Sequence, residues 1–284
     1  MNILVIGLGQ LGKDLLRVME SSNEIIGIDY PDVDITSPIS IDRILDTHEP
    51  QLVINAAAYT DVEGAESNRE DAYAVNEFGS RNLARATAAR NIPIVYFSTD
   101  FVFDGTGRTP YSPDDPTNPR SVYGASKLAG EVATIESNPE HYVLRTAWLY
   151  GPAGDNFIEK VIAWAQKNDS IKVVTDEVGS PTHTWDLAEA TERLMHTRAF
   201  GLYHAVNNGA CSRYTLAQKI VEQAGLEVEL LKCASHEFPT KAQRPAYSVL
   251  NSAALESVCC TEMRSWQDAL DHYLSRREAL IQKG

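Results

Sequence analysis

The sequence predicts an α/β protein built on a doubly wound parallel sheet, joined by a smaller α/β C-terminal lobe. Four short apolar runs in the first hundred residues alternate with helical patterns. The runs are continuously apolar, which is typical of parallel strands buried on both faces. A glycine-rich turn directly follows the first run. Strands that alternate with helices imply right-handed βαβ units, and such units build a doubly wound sheet.

The predicted elements divide the chain into two parts. Strands are predicted at residues 3–6, 24–28, 52–55 and 94–98, with helices between them at residues 10–20, 39–47 and 70–90. A helix that begins near Tyr123 and a strand at residues 141–146 complete the first part, residues 1–150. In residues 151–284, helices at 156–167, 186–197, 216–225 and 265–283 alternate with short strands and proline-containing loops. The strand at residues 201–206 could return to the main sheet.

The composition limits the partners that the protein can have. A net charge of −14 argues against nucleic acid, because phosphate binding requires a basic face. The sequence contains no run of 18 apolar residues, so no membrane span is predicted. The N-terminus enters a strand without a signal-peptide pattern. The four cysteines form no C-x-x-C pair and no zinc-site spacing, which indicates reduced thiols, a cytoplasmic protein and no metal site.

The glycine-rich turn predicts a dinucleotide site. Residues 7–12 read G-x-G-x-x-G between a strand and a helix, so Gly7, Gly9 and Gly12 would allow a tight turn and close approach of the backbone to a pyrophosphate. The positive end of the helix dipole would face the phosphates. Asp29 ends the second strand 20 residues after Gly9, where an acid accepts from the adenosine ribose. These features make the first part, residues 1–150, a Rossmann-type dinucleotide-binding domain.

Asp29 also bears on the choice of cofactor. Its charge would repel a 2′-phosphate, and no lysine or arginine follows it until Arg43, so the sequence favours NADH over NADPH. Small side chains at the end of the third strand suit a backbone that lies against a cofactor, although close helix packing would explain them equally well. The further predicted cofactor contacts are Gln10, Leu11, Asp34, Ile35, Ala56, Ala57 and Ala58.

Tyr123 and Lys127 predict proton-transfer chemistry. They lie four residues apart in "VYGASKLAGE" and therefore on one face of the predicted helix. An ammonium beside a phenol would lower the pKa of the phenol from about 10, so that it could exchange a proton with a substrate. The alternative is a half-buried tyrosine and a solvated lysine on an ordinary amphipathic helix. Thr99 ends the fourth strand, at the sheet edge where ligands bind.

Several strings in the same order resemble the dTDP-4-dehydrorhamnose reductase family of the extended short-chain dehydrogenase/reductase superfamily. They are "VINAAAYTDVEGAE" (residues 53–66), "STDFVFDGTG" (98–107), "YGASKLAGE" (123–131), "LRTAWLYGPAGDNF" (144–157) and "FPTKAQRPAYSVL" (238–250). The resemblance implies that NADH or NADPH reduces the C4 carbonyl of a dTDP-bound 4-keto-6-deoxyhexose. Thr99 would bind the carbonyl, Tyr123 would donate the proton, and Lys127 would keep Tyr123 acidic and bind the nicotinamide ribose.

The resemblance also implies substrate contacts in the second part of the chain. Trp148 would offer a flat wall to the sugar or base, with a core position as the alternative. Asn156 would lie near the ligand or serve only as a helix N-cap. Arg244 would pair with the diphosphate unless it is only a solvated surface residue. Asp100 would bind the sugar or cap its loop. Thr99 and Tyr123 complete the predicted substrate contacts.

The family pattern leaves alternatives open. The family usually opens with G-x-x-G-x-x-G, one residue more than this chain has between the first two glycines. Related sugar-nucleotide dehydratases carry Asp-Glu where this chain has Asp100-Phe101, which favours simple reduction. A reductase of another nucleotide-linked 4-ketosugar, or a regulatory subunit of S-adenosylmethionine synthesis, stays possible. The resemblance alone would allow a homodimer and Mg²⁺.

Overall fold

The computed structural model describes residues 1–281, and its centre is a six-stranded parallel sheet. The strands are β1 (Asn2–Ile6), β2 (Glu24–Ile28), β3 (Leu52–Asn55), β4 (Ile94–Thr99), β5 (His141–Thr146) and β10 (Gly201–His204). They lie in the order β10-β5-β4-β3-β1-β2. The predicted fold class and the predicted strands of the first part are confirmed. The strand at 201–204 does return to the main sheet, where it pairs with β5.

The strand order places a ligand-binding crevice at the ends of β1 and β3. The chain passes from β1 to β2 on one side and then returns to β3 on the other side of β1. Such a reversal opens a gap beyond the carboxyl ends of the two strands, because the following helices lie on opposite faces of the sheet. Ile6 lies beside Asn55 at this edge, so the loops after both residues border the gap.

The helices of the first part are α1 (Gln10–Met19), α2 (Pro38–His48), α3 (Val62–Ala65), α4 (Arg69–Tyr73), α5 (Ser80–Ala88) and α6 (Val122–Ser137). The prediction of a single regular helix at residues 70–90 is wrong, because the helix is interrupted. A π-helical segment, Ala74–Gly79, lies between α4 and α5. Such segments are uncommon, and they turn a side chain out of the regular helical register. Here the segment contains Asn76, whose contacts are described below.

The second part of the chain builds a lobe with its own core. Apart from β10, the elements of this part of the chain are β6 (Leu149–Tyr150), α7 (Phe157–Ala165), β7 (Ser170–Val174), β8 (Val178–Gly179), β9 (Thr182–His183), α8 (Thr184–Met195), β11 (Cys211–Ser212), α9 (Arg213–Gln223), β12 (Glu229–Cys233), α10 (Ala253–Cys259) and α11 (Trp266–Ile281). The predicted helices are present, with ends shifted by a few residues; residue 283, where the last was predicted to end, lies outside the described residues. Tyr150, Ile158, Leu216 and Trp266 belong to the core of the lobe.

Helix α8 lies outside this lobe. Leu187 and Leu194 of α8 are buried in the same core as Leu11 and Leu15 of α1. The chain after residue 150 therefore completes the sheet and one of its helical layers before it builds the rest of the lobe. Within residues 1–281, no helix is long and apolar enough to cross a membrane. All four cysteines are free thiols.

Candidate active site

All predicted site residues line one cleft of about 1530 Å³ between the edge of the main sheet and the lobe. The volume is ample for a dinucleotide and a nucleotide sugar together, since single small-molecule sites occupy roughly 300–1,000 Å³. The predicted residues that line it are Gly7, Gly9, Gln10, Leu11, Gly12, Asp29, Asp34, Ile35, Ala56, Ala57, Ala58, Thr99, Asp100, Tyr123, Lys127, Trp148, Asn156 and Arg244. The structure thus brings together residues from both halves of the chain.

The three glycines of the turn have three different physical roles. Gly7 has a φ of +96°, and a Cβ there would clash with the backbone of Ala57. A Cβ on Gly12 would clash with the carbonyl oxygen of Gly7, so Gly12 allows α1 to pack against the turn. A Cβ on Gly9 would have no atom within 4 Å. Gly9 therefore is not required by the packing of the protein, and it leaves space for a ligand.

The start of α1 can hold an anion in that space. Gly9 is the N-cap residue of α1, and no side chain caps the first N–H groups of the helix. Asp29 accepts hydrogen bonds from the N–H groups of Leu8 at 3.0 Å and Tyr30 at 2.9 Å, which fixes its carboxylate beside the turn. Free N–H groups at a helix start, with an acid at the end of the second strand, match the requirements of a pyrophosphate and an adenosine ribose. The residues fit a nicotinamide dinucleotide.

Thr99 and the start of α6 bring the catalytic candidates together. Thr99 is buried at the end of β4. The hydroxyl of Ser121 caps α6 by accepting from the N–H of Gly124 at 3.1 Å. A Cβ on Gly124 would clash with the carbonyl oxygen of Phe101, so glycine lets α6 start close to the loop after β4. The rings of Phe101 and Tyr123 meet edge to face with centroids 5.5 Å apart.

The prediction that Lys127 lowers the pKa of Tyr123 is wrong for this structure. Burial raises the pKa of Tyr123 to about 12; a hydrogen bond with the Thr99 hydroxyl opposes the rise, and the charge of Asp100 adds to it. The ammonium of Lys127 lies 4.3 Å from the centroid of the Tyr96 ring. Lys127 is itself buried and acts on the aromatic face of Tyr96, so sequence spacing alone overstated its effect on Tyr123.

Lys127 has a pKa close to neutral. Burial lowers the pKa of its ammonium to about 7, and the carboxylate of Glu131 on the next turn of α6 opposes this effect. The side chain lies in the cleft with only 4% of its surface exposed. A buried lysine beside a predicted cofactor and proton donor is a strongly perturbed group in a cleft, which is typical of functional sites.

Asp100 is a second buried group with a perturbed pKa. Burial raises the pKa of its carboxyl to about 6, while the neighbouring hydroxyls of Ser248 and Thr99 and the charge of Arg213 oppose the rise. The Thr99 hydroxyl donates to Asp100 Oδ1 at 3.1 Å. The short helical turn after β4 places this carboxylate directly behind Thr99. Asp100 lines the cleft, and its carboxyl group interacts with the charge of Arg213 in the lobe.

Asn76 supports the site from behind. Its side chain accepts from the N–H of Tyr59 at 2.8 Å and donates to the Ser126 hydroxyl at 2.9 Å. Ser126 precedes Lys127 in α6, so Asn76 ties the loop after β3 to α6. Asn76 is buried and does not line the cleft. It is a packing residue that supports the site through its neighbours.

The predicted substrate residues of the lobe have different surroundings. Trp148 has a φ of +47°, and its indole lies against the backbone of Gly179, where a Cβ would clash with it. Asn156 caps α7 through the N–H groups of Ile158 and Glu159, both at 3.1 Å, and donates to Gln10 at 2.9 Å and to the carbonyl of Gly151 at 3.0 Å. Its N-cap role is confirmed, and it also joins the lobe to the glycine turn.

Arg244 lies in the cleft as a paired residue. Its guanidinium donates to Glu63 Oε1 at 3.0 Å. Glu63 Oε2 also accepts from the N–H of Lys241 at 2.8 Å, so one carboxylate of α3 holds the segment that carries Arg244. Arg244 is therefore an exposed residue that forms an ion pair with Glu63.

Arg213 also lines the cleft, although no motif of the sequence points to it. Its guanidinium carbon lies 3.5 Å from the centroid of the Trp148 ring. One signal was available in the sequence. Arg213 follows the N-cap Ser212 at the positive start of α9, where a cation is unfavourable unless it has another role. Among residues 1–281, no group of three or more His, Cys, Asp or Glu residues is arranged to hold a metal ion.

The fold and the site define an NAD(P)H-dependent oxidoreductase of the short-chain dehydrogenase/reductase superfamily. Residues 1–279 match the family described as RmlD substrate binding domain. The chain belongs to this family, that of the dTDP-4-dehydrorhamnose reductases. The resemblance found in the sequence is confirmed.

Individual relatives agree over nearly the whole chain. The chain is 40% identical over 270 residues to dTDP-4-dehydrorhamnose reductase of Mycobacterium tuberculosis, covering 92% of this chain and 88% of the relative. It is 37% identical over 265 residues to dTDP-4-keto-6-deoxy-D-glucose reductase of Streptomyces niveus, covering 92% of both chains. The crystal structure of dTDP-4-dehydrorhamnose reductase from Bacillus anthracis in complex with NADP has a TM-score of 0.94 and 35% identity, covering 97% of this chain and 99% of that chain.

Proposed function

We propose that the protein reduces the C4 keto group of dTDP-4-dehydro-L-rhamnose to give dTDP-L-rhamnose. One observation carries the proposal: Thr99, Tyr123 and Lys127 lie in the same cleft as the glycine turn, so a carbonyl, a proton donor and a dinucleotide can meet there. The relatives named as dTDP-4-dehydrorhamnose reductases support the choice of sugar.

Tyr123 is the proton donor of the proposed reaction. The nicotinamide ring supplies the hydride when the cofactor is bound. Because the pKa of Tyr123 is about 12, its phenol keeps its proton at neutral pH and can give it to the oxygen at C4 as that oxygen becomes negative. When the substrate binds, the Thr99 hydroxyl turns from Asp100 Oδ1 to donate to the same oxygen and orients the carbonyl toward the phenol.

Lys127 binds the nicotinamide ribose and supplies a positive field at the reacting oxygen. Its pKa of about 7 means that it is partly neutral before a ligand binds. An anionic cofactor and a developing negative oxygen would both favour the ammonium form. Asp100 accepts a hydrogen bond from a sugar hydroxyl, and Trp148 forms a wall of the sugar site. Arg244 pairs with the diphosphate, and Asn156 positions Gln10 at the cofactor.

We propose that NADH is favoured over NADPH. Asp29 is exposed in the cleft with a carboxylate fixed by two backbone N–H groups, so a 2′-phosphate would meet a negative charge that cannot turn away. The relative from Bacillus anthracis was crystallised with NADP. The residue of that relative that corresponds to Asp29 is therefore the one to compare between the two proteins.

Reduction of another dTDP-4-ketosugar is the second candidate. The relative from Streptomyces niveus, named for a keto-deoxyglucose substrate, is nearly as similar to this chain as the rhamnose reductases are. The stereochemistry at C4 depends on which face of the sugar lies toward the nicotinamide. A regulatory subunit of S-adenosylmethionine synthesis is less well supported, because Thr99, Tyr123 and Lys127 are all retained and assembled.

Two further parts of the proposal concern the cellular compartment of the protein and its assembly with a second copy or a metal ion. The four free thiols favour the reducing cytoplasm. The homodimer and the Mg²⁺ that the resemblance would allow stay predictions. Sedimentation would measure the oligomeric state, and its repetition with EDTA would show whether that state depends on a divalent cation.

Oxidation of NADH or NADPH on addition of dTDP-4-dehydro-L-rhamnose tests the proposal. We expect turnover with at least one cofactor, and NMR of the product should show dTDP-L-rhamnose. The matched reaction uses dTDP-4-keto-6-deoxy-D-glucose. Faster turnover of the second sugar would favour the second candidate, and no turnover with either sugar would overturn the reductase proposal.

A further inference from the structure

A small antiparallel sheet positions Arg213 at the cleft. Strands β8 and β11 pair Val178 with Ser212, and the N–H of Arg213 donates to the carbonyl of Glu177 at 3.2 Å. This pairing places the first residue of α9 at the wall that contains Trp148. The side chain of Arg213 is 15% exposed.

Two aromatic rings fix the orientation of the Arg213 guanidinium. Its central carbon lies 3.5 Å from the centroid of the Trp148 ring and 5.0 Å from that of the Phe157 ring. Stacked guanidinium groups present their N–H donors at the edge of the plane, while the faces are covered by the rings. The hydrogen-bonding edge of Arg213 is therefore the part that a ligand can use.

That edge has no hydrogen-bond partner in the described part of the chain. Glu177 Oε2 lies 3.7 Å from Nε, which makes an ion pair but is too long for a hydrogen bond. By contrast, Arg145 donates from Nε, Nη1 and Nη2, and Arg244 donates to Glu63. A mostly buried guanidinium without hydrogen bonds loses the solvation of its donors, so acceptors supplied by a ligand would stabilise it.

The charges around Arg213 define the ligand that would fit. Burial lowers the pKa of Arg213 to about 10; the charge of Glu177 raises it, that of Arg244 lowers it and that of Asp100 raises it. Arg213, Arg244, Asp100 and Glu177 all line the same cleft. Two arginines that repel one another are both stabilised by an anion placed between them. Phosphate oxygens match the fork of a guanidinium.

We propose that Arg213 is a binding residue for the diphosphate of the substrate and shares this role with Arg244. The assignment rests on the proposed function, since it takes the ligand to be a nucleoside diphosphate sugar. It differs from a role in which Arg213 only holds the indole of Trp148. In the diphosphate role, substitution of Arg213 weakens ligands that carry phosphate and spares ligands that lack it.

Calorimetric titration with dTDP and with thymidine tests the assignment. Arg213→Met keeps an unbranched side chain between Trp148 and Phe157 but removes the charge and the donors. We expect its affinity for dTDP to fall about 10- to 100-fold, as for the loss of hydrogen bonds to a charged group, with little change for thymidine. Arg213→Gln is the second variant and should lose a similar factor. NADH affinity reports whether each variant is folded.

Arg193→Met is the matched control, because Arg193 is 45% exposed on α8 and does not line the cleft. Its affinity for dTDP should equal that of the wild type. Equal dTDP affinity in the wild type and in a folded Arg213 variant would overturn the assignment and leave the reductase proposal intact. Equal losses for dTDP and thymidine would also overturn it, in favour of a role through Trp148. A wild-type protein that does not bind dTDP would overturn the proposed function together with this site.

Discussion

Glu131 and Arg145 form a buried two-point ion pair between α6 and β5. Arg145 donates from Nε to Glu131 Oε2 at 3.0 Å and from Nη2 to Oε1 at 2.5 Å, and the two side chains are only 5% and 3% exposed. Glu131 lies one turn after Lys127 on α6. The pair therefore fixes the helix that carries Tyr123 and Lys127 to the strand beside β4, and it also places a negative charge near the Lys127 ammonium.

Glu131→Gln should destabilise the protein strongly. The substitution leaves the Arg145 charge buried without its partner, for which we expect a loss of about 3–5 kcal/mol in the free energy of unfolding. Urea unfolding followed by circular dichroism measures the loss. Glu136→Gln, an exposed position on the same helix, is the control and should change stability by less than about 0.5 kcal/mol. Similar values for the two variants would show that the ion pair is not a main anchor of α6.

Tyr123→Phe should abolish most turnover without loss of cofactor binding. The variant keeps the ring that packs against Phe101 and removes the hydroxyl that donates the proton. Loss of a general acid typically lowers kcat by about 10²- to 10⁴-fold. Steady-state kinetics and a fluorescence titration with NADH measure the two properties. Tyr203→Phe is the control, since its hydroxyl donates to the carbonyl of Ala199 away from the cleft. A Tyr123→Phe variant with wild-type kcat would mean that another group donates the proton.

The pH dependence of kcat/KM should be bell-shaped and narrow. Asp100, with a pKa of about 6, becomes ionised as the pH rises, so activity increases through that range. Lys127, with a pKa of about 7, loses its positive charge as the pH rises further, so activity decreases above neutrality. Because kcat/KM reports groups of the free enzyme, the ligand-free pKa values apply.

Asp100→Asn assigns the acid limb of that profile. An amide does not titrate, so the variant should lose the rise near pH 6 and keep the decline above pH 7. Its kcat/KM at neutral pH should fall about tenfold because one hydrogen bond to the sugar loses its charge. An acid limb that survives in Asp100→Asn would assign the titration to a different group.

The parts of the molecule that the sequence predicted well are those set by local pattern. The strands follow from continuous apolar runs such as residues 3–6, and the glycine turn follows from steric limits that act between neighbours. The pKa of Tyr123 was predicted in the wrong direction, because it depends on burial by segments far apart in the chain. Arg213 was missed for a similar reason, since the pairing of β8 with β11 brings it to Trp148.

The π-helical segment is a further feature that the local sequence pattern does not predict. Its residues have ordinary helical periodicity, and within the segment the side chain of Asn76 forms hydrogen bonds with Tyr59 and Ser126. Tertiary contacts of this kind leave no periodic signal in one sequence. The cleft itself is predictable at the level of its residues, because the family resemblance assigns residues from both halves of the chain to one site.

Gly9→Ala should fold normally and lose cofactor binding. A Cβ at this position would meet no protein atom within 4 Å, so stability should be unchanged, while the methyl group would occupy space at the start of α1 that the pyrophosphate requires. We expect binding of NADH to weaken at least tenfold, which is about 1.4 kcal/mol. Gly12→Ala is the contrasting variant, because its Cβ would clash with the Gly7 carbonyl and should lower the melting temperature. Undiminished NADH binding in Gly9→Ala would place the pyrophosphate elsewhere.

Asp29→Asn should shift the cofactor preference toward NADPH. The amide keeps the shape of the side chain and can still accept a hydrogen bond from the N–H of Leu8 or Tyr30, but it removes the charge that faces the ribose. At an exposed site a like-charge repulsion is worth about 1 kcal/mol, so NADPH affinity should rise roughly fivefold. NADH affinity should fall, because the ribose hydroxyl loses a charged acceptor. Fluorescence titration of both cofactors measures the ratio, and Asp32→Asn, on the same loop but outside the cleft, should leave it unchanged. If the wild type already binds NADPH more tightly than NADH, the charge of Asp29 does not determine the preference.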